Sequence, residues 1–349
     1  MMKVTFVGLN TGSMGHLVRD SEIIIRRHLN SATASFPGKN ITFFYASNRI
    51  ANRYFYRMLR TQIRILPFWP FYLFDKILTK ASHSYRKRKD TITKIDITDI
   101  EHFGLSPTPL ITTSNHSEPI NLILEELEIS NPYVCLVVRD SGYDVRVDPS
   151  NVENQKYRQT PIHDFELSLP LLLDRGYNIV RMGRDSNTTF KETRRGVVDY
   201  SYKPLIQSDE RDVLLFEHCT FVLTTVSGPD ELGSFFRKRL YRVNASPISN
   251  IVISPQYPLT LLSDYIDLES KMKLGWKPIH DMQLDRVGAK ELMQDHRVKI
   301  QPKDELTIAS FVRLACLWED KREVDAQKKY LENFLQDTGL NIFRNGLIY

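Results

Sequence analysis

The stretch Phe221-Val-Leu-Thr-Thr-Val-Ser-Gly-Pro-Asp-Glu-Leu-Gly-Ser-Phe-Phe236 decides how the rest of the chain is read. A short apolar run ends in hydroxyls, turns at Ser227-Gly228-Pro229, and opens a helix with Asp230-Glu231. That order puts free backbone N–H groups, hydroxyls and the positive end of a helix at the carboxyl edge of a strand, a natural seat for a phosphate or diphosphate. A second run, Tyr133-Val-Cys-Leu-Val-Val138, leads directly into Arg139-Asp140-Ser141. If both runs are strands of one parallel sheet, Arg139 and the Ser227 turn open onto the same crevice. The expectation is a nucleotide-diphosphate site.

The remainder of the chain bounds this reading. Its 349 residues have room for two domains of ordinary size. A hydrophobic content of 42% beside 26% charged residues describes a globular protein with a sizeable core. The net charge of +5 permits anionic partners but gives no argument for nucleic acid, and no nucleic-acid motif is present. Cys135, Cys219 and Cys316 are far apart and form no Cys-x-x-Cys or Cys/His cluster, so no metal site and no disulfide framework is expected. The amino terminus reads as a buried strand, without a signal peptide's long apolar core. No run reaches the roughly 18–20 apolar residues of a membrane span. A cytoplasmic protein, soluble or peripheral on the inner face of the membrane, is expected.

The first half begins with strand Lys3–Leu9, a Gly-bearing loop, a helix from about His16 to Leu29, and strand Asn40–Ala46. Gly8, Gly12 and Gly15 have the spacing G-x-x-x-G-x-x-G, which is not that of a nicotinamide site. His16 and Asp20 lie at and just inside the helix start, where they either border a ligand cleft or simply belong to a tight strand-to-helix turn. Residues 49–89 differ in kind. Arg49, Arg53, Arg57, Arg60 and Arg64 recur at helical spacing with aromatics interleaved, followed by Leu66-Pro-Phe-Trp-Pro-Phe-Tyr-Leu-Phe74 and Tyr85-Arg-Lys-Arg-Lys89. Rings beside a cationic face suit an anionic membrane surface, with Phe68, Trp69 and Phe71 inserting. The other reading is a solvated charged face over an ordinary core helix.

The second half alternates again: helix-like Asp164–Arg175, strand Tyr177–Met182, helix-like Ser208–His218, strand Thr220 onward, and strand Leu240–Asn244. Such alternation means βαβ units and parallel sheet. The expected fold class is α/β, with two facing Rossmann-like domains and a cleft between them. The expected domains span residues 1–130 and 131–305, with a helical region over 306–349 returning to the first.

The second half resembles the donor domain of GT-B-fold glycosyltransferases. More closely, it is similar to a family of bacterial glycosyltransferases found with surface-polysaccharide genes. The resemblance is carried by Val137-Val-Arg-Asp-Ser-Gly-Tyr-Asp144, Gly176-Tyr-Asn-Ile-Val-Arg-Met-Gly183, Asp199-Tyr-Ser-Tyr202, the run from Ser208 to Phe221, and Thr225-Val-Ser-Gly-Pro229. It covers about Tyr133 to Pro247, continues weakly towards Trp318, and is faint in the first half. It implies a nucleotide-sugar donor with its diphosphate near Ser227 and Gly228. Arg139 stands where fucosyltransferase-like enzymes carry a diphosphate-binding arginine, although the run Val137-Val138-Arg139-Asp140 departs from their His-x-x-Arg or Arg-Arg pattern.

Moving a sugar from such a donor requires stabilising the departing diphosphate and removing the acceptor's proton. The resemblance implies no essential metal, the charge coming from arginine, lysine and helix ends. Arg139 and Arg181 each end a strand-like run, and Arg139's guanidinium can chelate two phosphate oxygens, unless Asp140 or Asp144 takes it as an ion pair. Thr225, Ser227 and Gly228 supply hydroxyls and N–H groups. Glu231 either offsets a helix dipole or accepts from a ribose or sugar hydroxyl. The base is His16, Asp20 or Asp144. The expected partners are a nucleotide sugar, a glycan or lipid-linked glycan acceptor and an anionic membrane, with no cofactor. Two rival readings stay open: a nucleotide-sugar epimerase, and a non-catalytic scaffold of a polysaccharide-synthesis complex.

Overall fold

The computed structural model describes residues 3–34, 40–95, 106–113, 117–130, 132–147, 149–251, 256–320, 342–344 and 347–348. The chain forms two α/β units. The first comprises Met1–His116, Ser208–Glu217 and Glu231–Arg237; the second comprises Ser117–Gln207, His218–Asp230 and Lys238–Tyr349.

In the first unit β1 (Lys3–Leu9), β2 (Asn40–Ala46) and β3 (Ile65–Leu66) form a parallel sheet in the order β1-β2-β3. A wide π-type turn, His16–Asp20, leads into α1 (Ser21–Ala34), so the anticipated first helix starts with a local irregularity. Wide turns of this kind concentrate at functional sites. Helix α2 (Arg53–Gln62) starts where the Asn52 side chain accepts from the Phe55 N–H at 2.7 Å. It buries Phe55 and Leu59 completely and leaves Arg53, Arg57 and Arg60 exposed. Helices α3 (Phe68–Ala81) and α4 (His83–Thr93) follow. Asp75 of α3 is buried and receives the Tyr45 hydroxyl at 2.6 Å, the Tyr85 hydroxyl at 2.9 Å and the Lys89 ammonium. Burial next to this carboxylate pushes the Tyr45 hydroxyl pKa far up. The chain returns to this unit twice. Phe235 packs edge-on against Phe55 with centroids 4.9 Å apart, and Arg237 is ion-paired with Glu22. These later contributions are a long-range packing choice that local pattern does not encode.

The second unit is built on β4 (Tyr133–Val137), β5 (Asn178–Met182), β6 (Val197–Val198), β7 (Phe221–Thr224), β8 (Arg239–Ala245) and β9 (Thr260–Leu262). These strands are parallel and run across the sheet as β6-β5-β4-β7-β8-β9. Numbered within the unit, that is 3-2-1-4-5-6, the doubly wound Rossmann order. The winding reverses between β4 and β7. Every residue of both strands is buried, as expected of parallel strands covered on two faces. The antiparallel pair β12 (Ile342–Arg344) and β13 (Leu347–Ile348) extends the β9 edge.

The main core lies under this sheet. Val134, Leu136, Tyr241 and Val243 from the strands meet Leu169 and Leu172 of a short helix, Ser168–Leu173. They also meet Ile308, Phe311, Val312 and Ala315 of the last described helix, Glu305–Glu319. That helix belongs to the second unit, although the sequence pattern places the carboxyl-terminal region against the first half; residues 321–341 lie outside the described residues. Its first turn is closed by Asp304, which accepts from the Thr307 N–H at 2.8 Å. A second cluster joins Leu262, Tyr265, Ile279, Leu284 and Leu292 to the antiparallel pair β10 (Asp264–Asp267) and β11 (Val298–Gln301). The three cysteines, Cys135, Cys219 and Cys316, are buried thiols.

Candidate functional site

In a doubly wound sheet, ligands bind outside the carboxyl ends of the strands that flank the reversal. Here those ends carry Val138-Arg139-Asp140 after β4 and Thr225-Val226-Ser227 after β7. The sequence reading brings these segments together, and the structure does so by direct bonds. The Thr225 N–H donates to the Val137 carbonyl at 3.0 Å, and the Arg139 N–H donates to the Thr225 hydroxyl oxygen at 2.8 Å. Thr225 is itself buried. It clamps the two loops to each other and has no surface for a ligand.

The Ser227 turn is organised by Asp230, which sequence reasoning passed over. One Asp230 oxygen accepts from the Thr224 hydroxyl at 2.6 Å and from the Ser227 N–H at 3.1 Å. The Val226 N–H donates to the Thr224 hydroxyl oxygen at 3.0 Å. The carboxylate therefore occupies the position anticipated for an external anion, and it corrects the picture of a turn with open amides. The Ser227 hydroxyl and the Gly228 N–H are the donors this network leaves over. Burial pushes the Asp230 carboxyl pKa up, and its hydrogen bonds, Arg242 and Arg158 hold it back. The helix beyond is short, a 3-10 turn Gly228–Asp230 and then the helical stretch Glu231–Phe235, so its dipole contributes little. Val226 has φ +60°. That conformation is rare for a β-branched residue and is held against a cost of about 1–3 kcal/mol, as happens at ligand sites.

Two guanidinium groups converge beside this turn. Arg139 is held by Asp144 through both carboxylate oxygens, at 2.9 and 3.0 Å, while its buried Nε–H has no partner. The ion pair foreseen as the alternative for Arg139 thus exists, and it leaves guanidinium donors over. The second group is Arg158, which donates to the Val226 carbonyl at 3.0 Å. Burial and then the neighbouring Arg139 charge lower its pKa. Two like charges brought together in a half-buried place favour an anion between them. Arg158 lies in the polar run Asn154-Gln-Lys-Tyr-Arg-Gln-Thr160, and its one local signal is a basic residue shortly before Thr160-Pro161.

Arg181 is placed elsewhere. It is 0% exposed, and its guanidinium donates to Asp199 at 3.0 Å, Asp140 at 3.4 Å and the Thr188 carbonyl at 2.6 Å. Its charge is taken up internally, which corrects the expectation that it meets a diphosphate. Asp140 also receives the Asn187 N–H at 3.1 Å, so this network fixes the loops after β4 and β5 against each other. Gly142 is required there, since a Cβ would stand 1.8 Å from the Asp185 carbonyl oxygen.

On the far side of Arg139, its carbonyl accepts from the Thr160 N–H at 3.1 Å. The Thr160 hydroxyl accepts from Asn244 at 3.1 Å, and Asn244 in turn accepts from the Lys303 N–H at 2.7 Å. Lys303 lines a polar pocket of ≈ 450 Å³ with Asp164, Asp264, Lys273 and Thr307. Burial brings the Lys303 ammonium down to about 8 although Asp264 is bonded to it.

His16, Asp20 and Glu231 form a separate cluster in the first unit. His16 Nδ1 lies 2.6 Å from Asp20, and Arg19 bridges Asp20 at 3.1 Å to Glu231 at 3.2 Å. With Nδ1 on the carboxylate, His16 presents Nε2 outward; its side chain is 48% exposed. Hydrogen bonding to Asp20 raises the His16 pKa. An imidazole oriented by a carboxylate has the form of a general base. Glu231 is ion-paired with Arg19.

No protein-family model and no curated protein sequence matches this chain. Among solved structures, it has a likeness to the ADP-heptose lipopolysaccharide heptosyltransferase II of E. coli, at 14% identity and a TM-score of 0.40 over 70% of this chain and 86% of that one. Another is the iron-containing dodecameric glycosyltransferase TibC of enterotoxigenic E. coli H10407, at 15% identity and a TM-score of 0.39, covering 73% of this chain and 63% of that one. The dodecameric heptosyltransferase TibC in complex with ADP-D-β-D-heptose gives 14% identity, a TM-score of 0.38 and the same coverage.

Proposed function

We propose that this protein transfers a sugar from a nucleotide-diphosphate donor to a glycan acceptor. The observation that carries the reading is the pair Arg139 and Arg158 at the reversal point of a Rossmann-ordered sheet, beside the strained Val226-Ser227-Gly228 turn. As the bond from the anomeric carbon to phosphate breaks, negative charge gathers on the departing diphosphate. Fixed guanidinium groups in a half-buried site stabilise that charge better than they stabilise the neutral sugar's ground state. Asp144 keeps Arg139 in place until the diphosphate arrives. The Ser227 hydroxyl and Gly228 N–H complete the cradle, and no metal is required of it. The acceptor hydroxyl attacks the anomeric carbon as the bond to phosphate breaks, and a general base takes its proton; His16, its imidazole held by Asp20, is the residue we assign to that role.

The acceptor in this reading is a surface glycan carried on lipid, and the enzyme meets it at the cytoplasmic side of an anionic membrane. The first test is thermal stabilisation by ADP, UDP and GDP. A nucleotide that binds the native site raises stability by about 2.7 kcal/mol at a hundred times its dissociation constant. Release of that nucleoside diphosphate from its sugar donor only when a lipid-linked acceptor is added identifies transfer. Absence of stabilisation by every nucleoside diphosphate would sink the proposal.

A further inference from the structure

Residues 49–89 contain eleven lysines and arginines and one acid, Asp75, in a chain whose net charge is only +5. That one acid is 3% exposed and faces inward to Tyr45, Tyr85 and Lys89. The exposed charges that this stretch itself contributes are therefore of one sign. On α3 the same surface is strongly apolar: Trp69 is 71% exposed, Leu73 45%, Phe74 53% and Ile77 61%. Soluble proteins do not normally leave four such side chains together in water.

Their spacing explains the face. Leu73 and Ile77 lie one turn apart on α3, and Lys76 and Lys80 run beside them, also one turn apart and exposed. Pro70 forces the residue before it out of helical geometry, and Trp69 is accordingly extended, with ψ 162°. The indole therefore projects ahead of the helix. Arg86 and Lys87, exposed on α4, extend the cationic rim. Phe68 and Phe71, expected from sequence to insert, are half-buried: Phe71 lies against Phe6 at 5.8 Å, and Phe68 stacks on Tyr72 at 4.8 Å. The arginine row of α2 covers buried Phe55 and Leu59 and has no apolar face of its own to offer.

We propose that α3, with the first turn of α4, docks this protein on an anionic bilayer, Trp69, Leu73, Phe74 and Ile77 entering the headgroup boundary and Lys76, Lys80, Arg86 and Lys87 meeting lipid phosphates. Charge selects this occupant. A protein partner or a second copy would have to match a cationic rim with acids, whereas an anionic bilayer offers negative charge and apolar depth together. The proposal deepens the reading of a lipid-carried acceptor and rests on it for its purpose, but its measurement does not depend on transfer.

The experiment is co-sedimentation of the full chain with vesicles of phosphatidylcholine containing phosphatidylglycerol, against phosphatidylcholine alone. Binding is expected on the anionic vesicles, and it falls as salt rises from about 0.1 M to about 1 M, where screening shortens from about 10 Å to 3 Å. Combined Lys76→Glu and Lys80→Glu weakens it by more than about tenfold, and so does combined Trp69→Ser, Leu73→Ser and Ile77→Ser. All these side chains are exposed, and unchanged circular dichroism and nucleoside-diphosphate affinity confirm that the variants are folded. Undiminished binding by both variants overturns the proposal. So does loss of binding only when Arg53, Arg57 and Arg60 are changed to Glu. A wild type that ignores lipid but dimerises, with the serine variant monomeric, assigns the face to a second copy and also overturns it. A wild type that binds vesicles but no nucleotide leaves docking standing and removes the transfer reading alone.

Discussion

Each arginine of the candidate site is decided by its immediate neighbours. Arg139 and Arg158 are close enough to disturb each other, whereas Arg181 is neutralised by Asp140 and Asp199. Arg139→Ala and Arg158→Ala are each expected to weaken nucleoside-diphosphate binding by about 2–3 kcal/mol while leaving the free nucleoside unaffected, measured by calorimetry. Because the two charges act on one anion, the double variant loses less than both losses together. Arg139→Lys restores charge but not the two-toothed contact, and recovers only part. His16 gives a pH signature. Its pKa is raised above 6.5 by the hydrogen bond to Asp20. The charged pair therefore adds stability below the ordinary histidine value, and this is lost as pH rises through the raised one. A base must be neutral to accept a proton, so the rate falls as pH drops through a midpoint above 6.5. Asp20→Asn moves that midpoint down. A rate profile flat across this range, or a midpoint unmoved in Asp20→Asn, removes His16 from the role.

At the scale of elements, the strand ends matter more than the strands. Asp230 bends the loop after β7 into a closed turn, Thr225 pins it to β4, and Asp140 with Arg181 pins the loop after β4 to the loop after β5. The helix Gly142–Val147, which carries Asp144, fits only because Gly142 lets it approach the Asp185 carbonyl. Gly142→Ala must push that backbone away. The expected cost is about 1–3 kcal/mol of stability in urea unfolding, with weaker diphosphate binding because Asp144 no longer orients Arg139. A loss within about 0.5 kcal/mol, in the range of an ordinary surface change, would show that the helix reseats freely.

Over the whole molecule, two parallel sheets serve two cores, and the chain crosses between units more than once. The larger core depends on the last described helix, whose Ile308, Phe311 and Val312 are completely buried under the doubly wound sheet. Phe311→Ala is expected to cost about 3–5 kcal/mol, since it removes a buried ring from a packed layer. Thermal unfolding measures it, and a shift typical of an exposed site would show that this helix adds little to the core. Charge is equally uneven: residues 49–89 hold eleven basic side chains and one acid, so the rest of the chain is net acidic. Among the described residues no helix is long and apolar enough to cross a membrane.

The sequence by itself determined the alternation of strand and helix, because apolar runs such as Tyr133–Val138 and Phe221–Thr224 are short, β-rich and bounded by turn residues. It also marked Arg139, Ser227 and Gly228, which follow those runs within a few residues and so fall in the loops at strand ends, and Asp144 just beyond. Strand order was not legible, since pairing in a parallel sheet is a contact between distant segments; only the tertiary structure put β7 beside β4 and brought the residues after them together. Arg158 stayed hidden for the same reason, its place being set by a loop folding back onto Val226. Arg181 reads in sequence as a ligand group at a strand end, and Asp230 as no more than the opening of a helix. Burial turned both into internal partners, because a charge withdrawn from water must find its counterpart within the fold. The basic-aromatic segment was visible as composition. Which of its apolar side chains meet solvent was decided in the fold: the buried bonds of Asp75 to Tyr45 and Tyr85 hold that side of α3 inward, and Leu73, Phe74 and Ile77 are left outside.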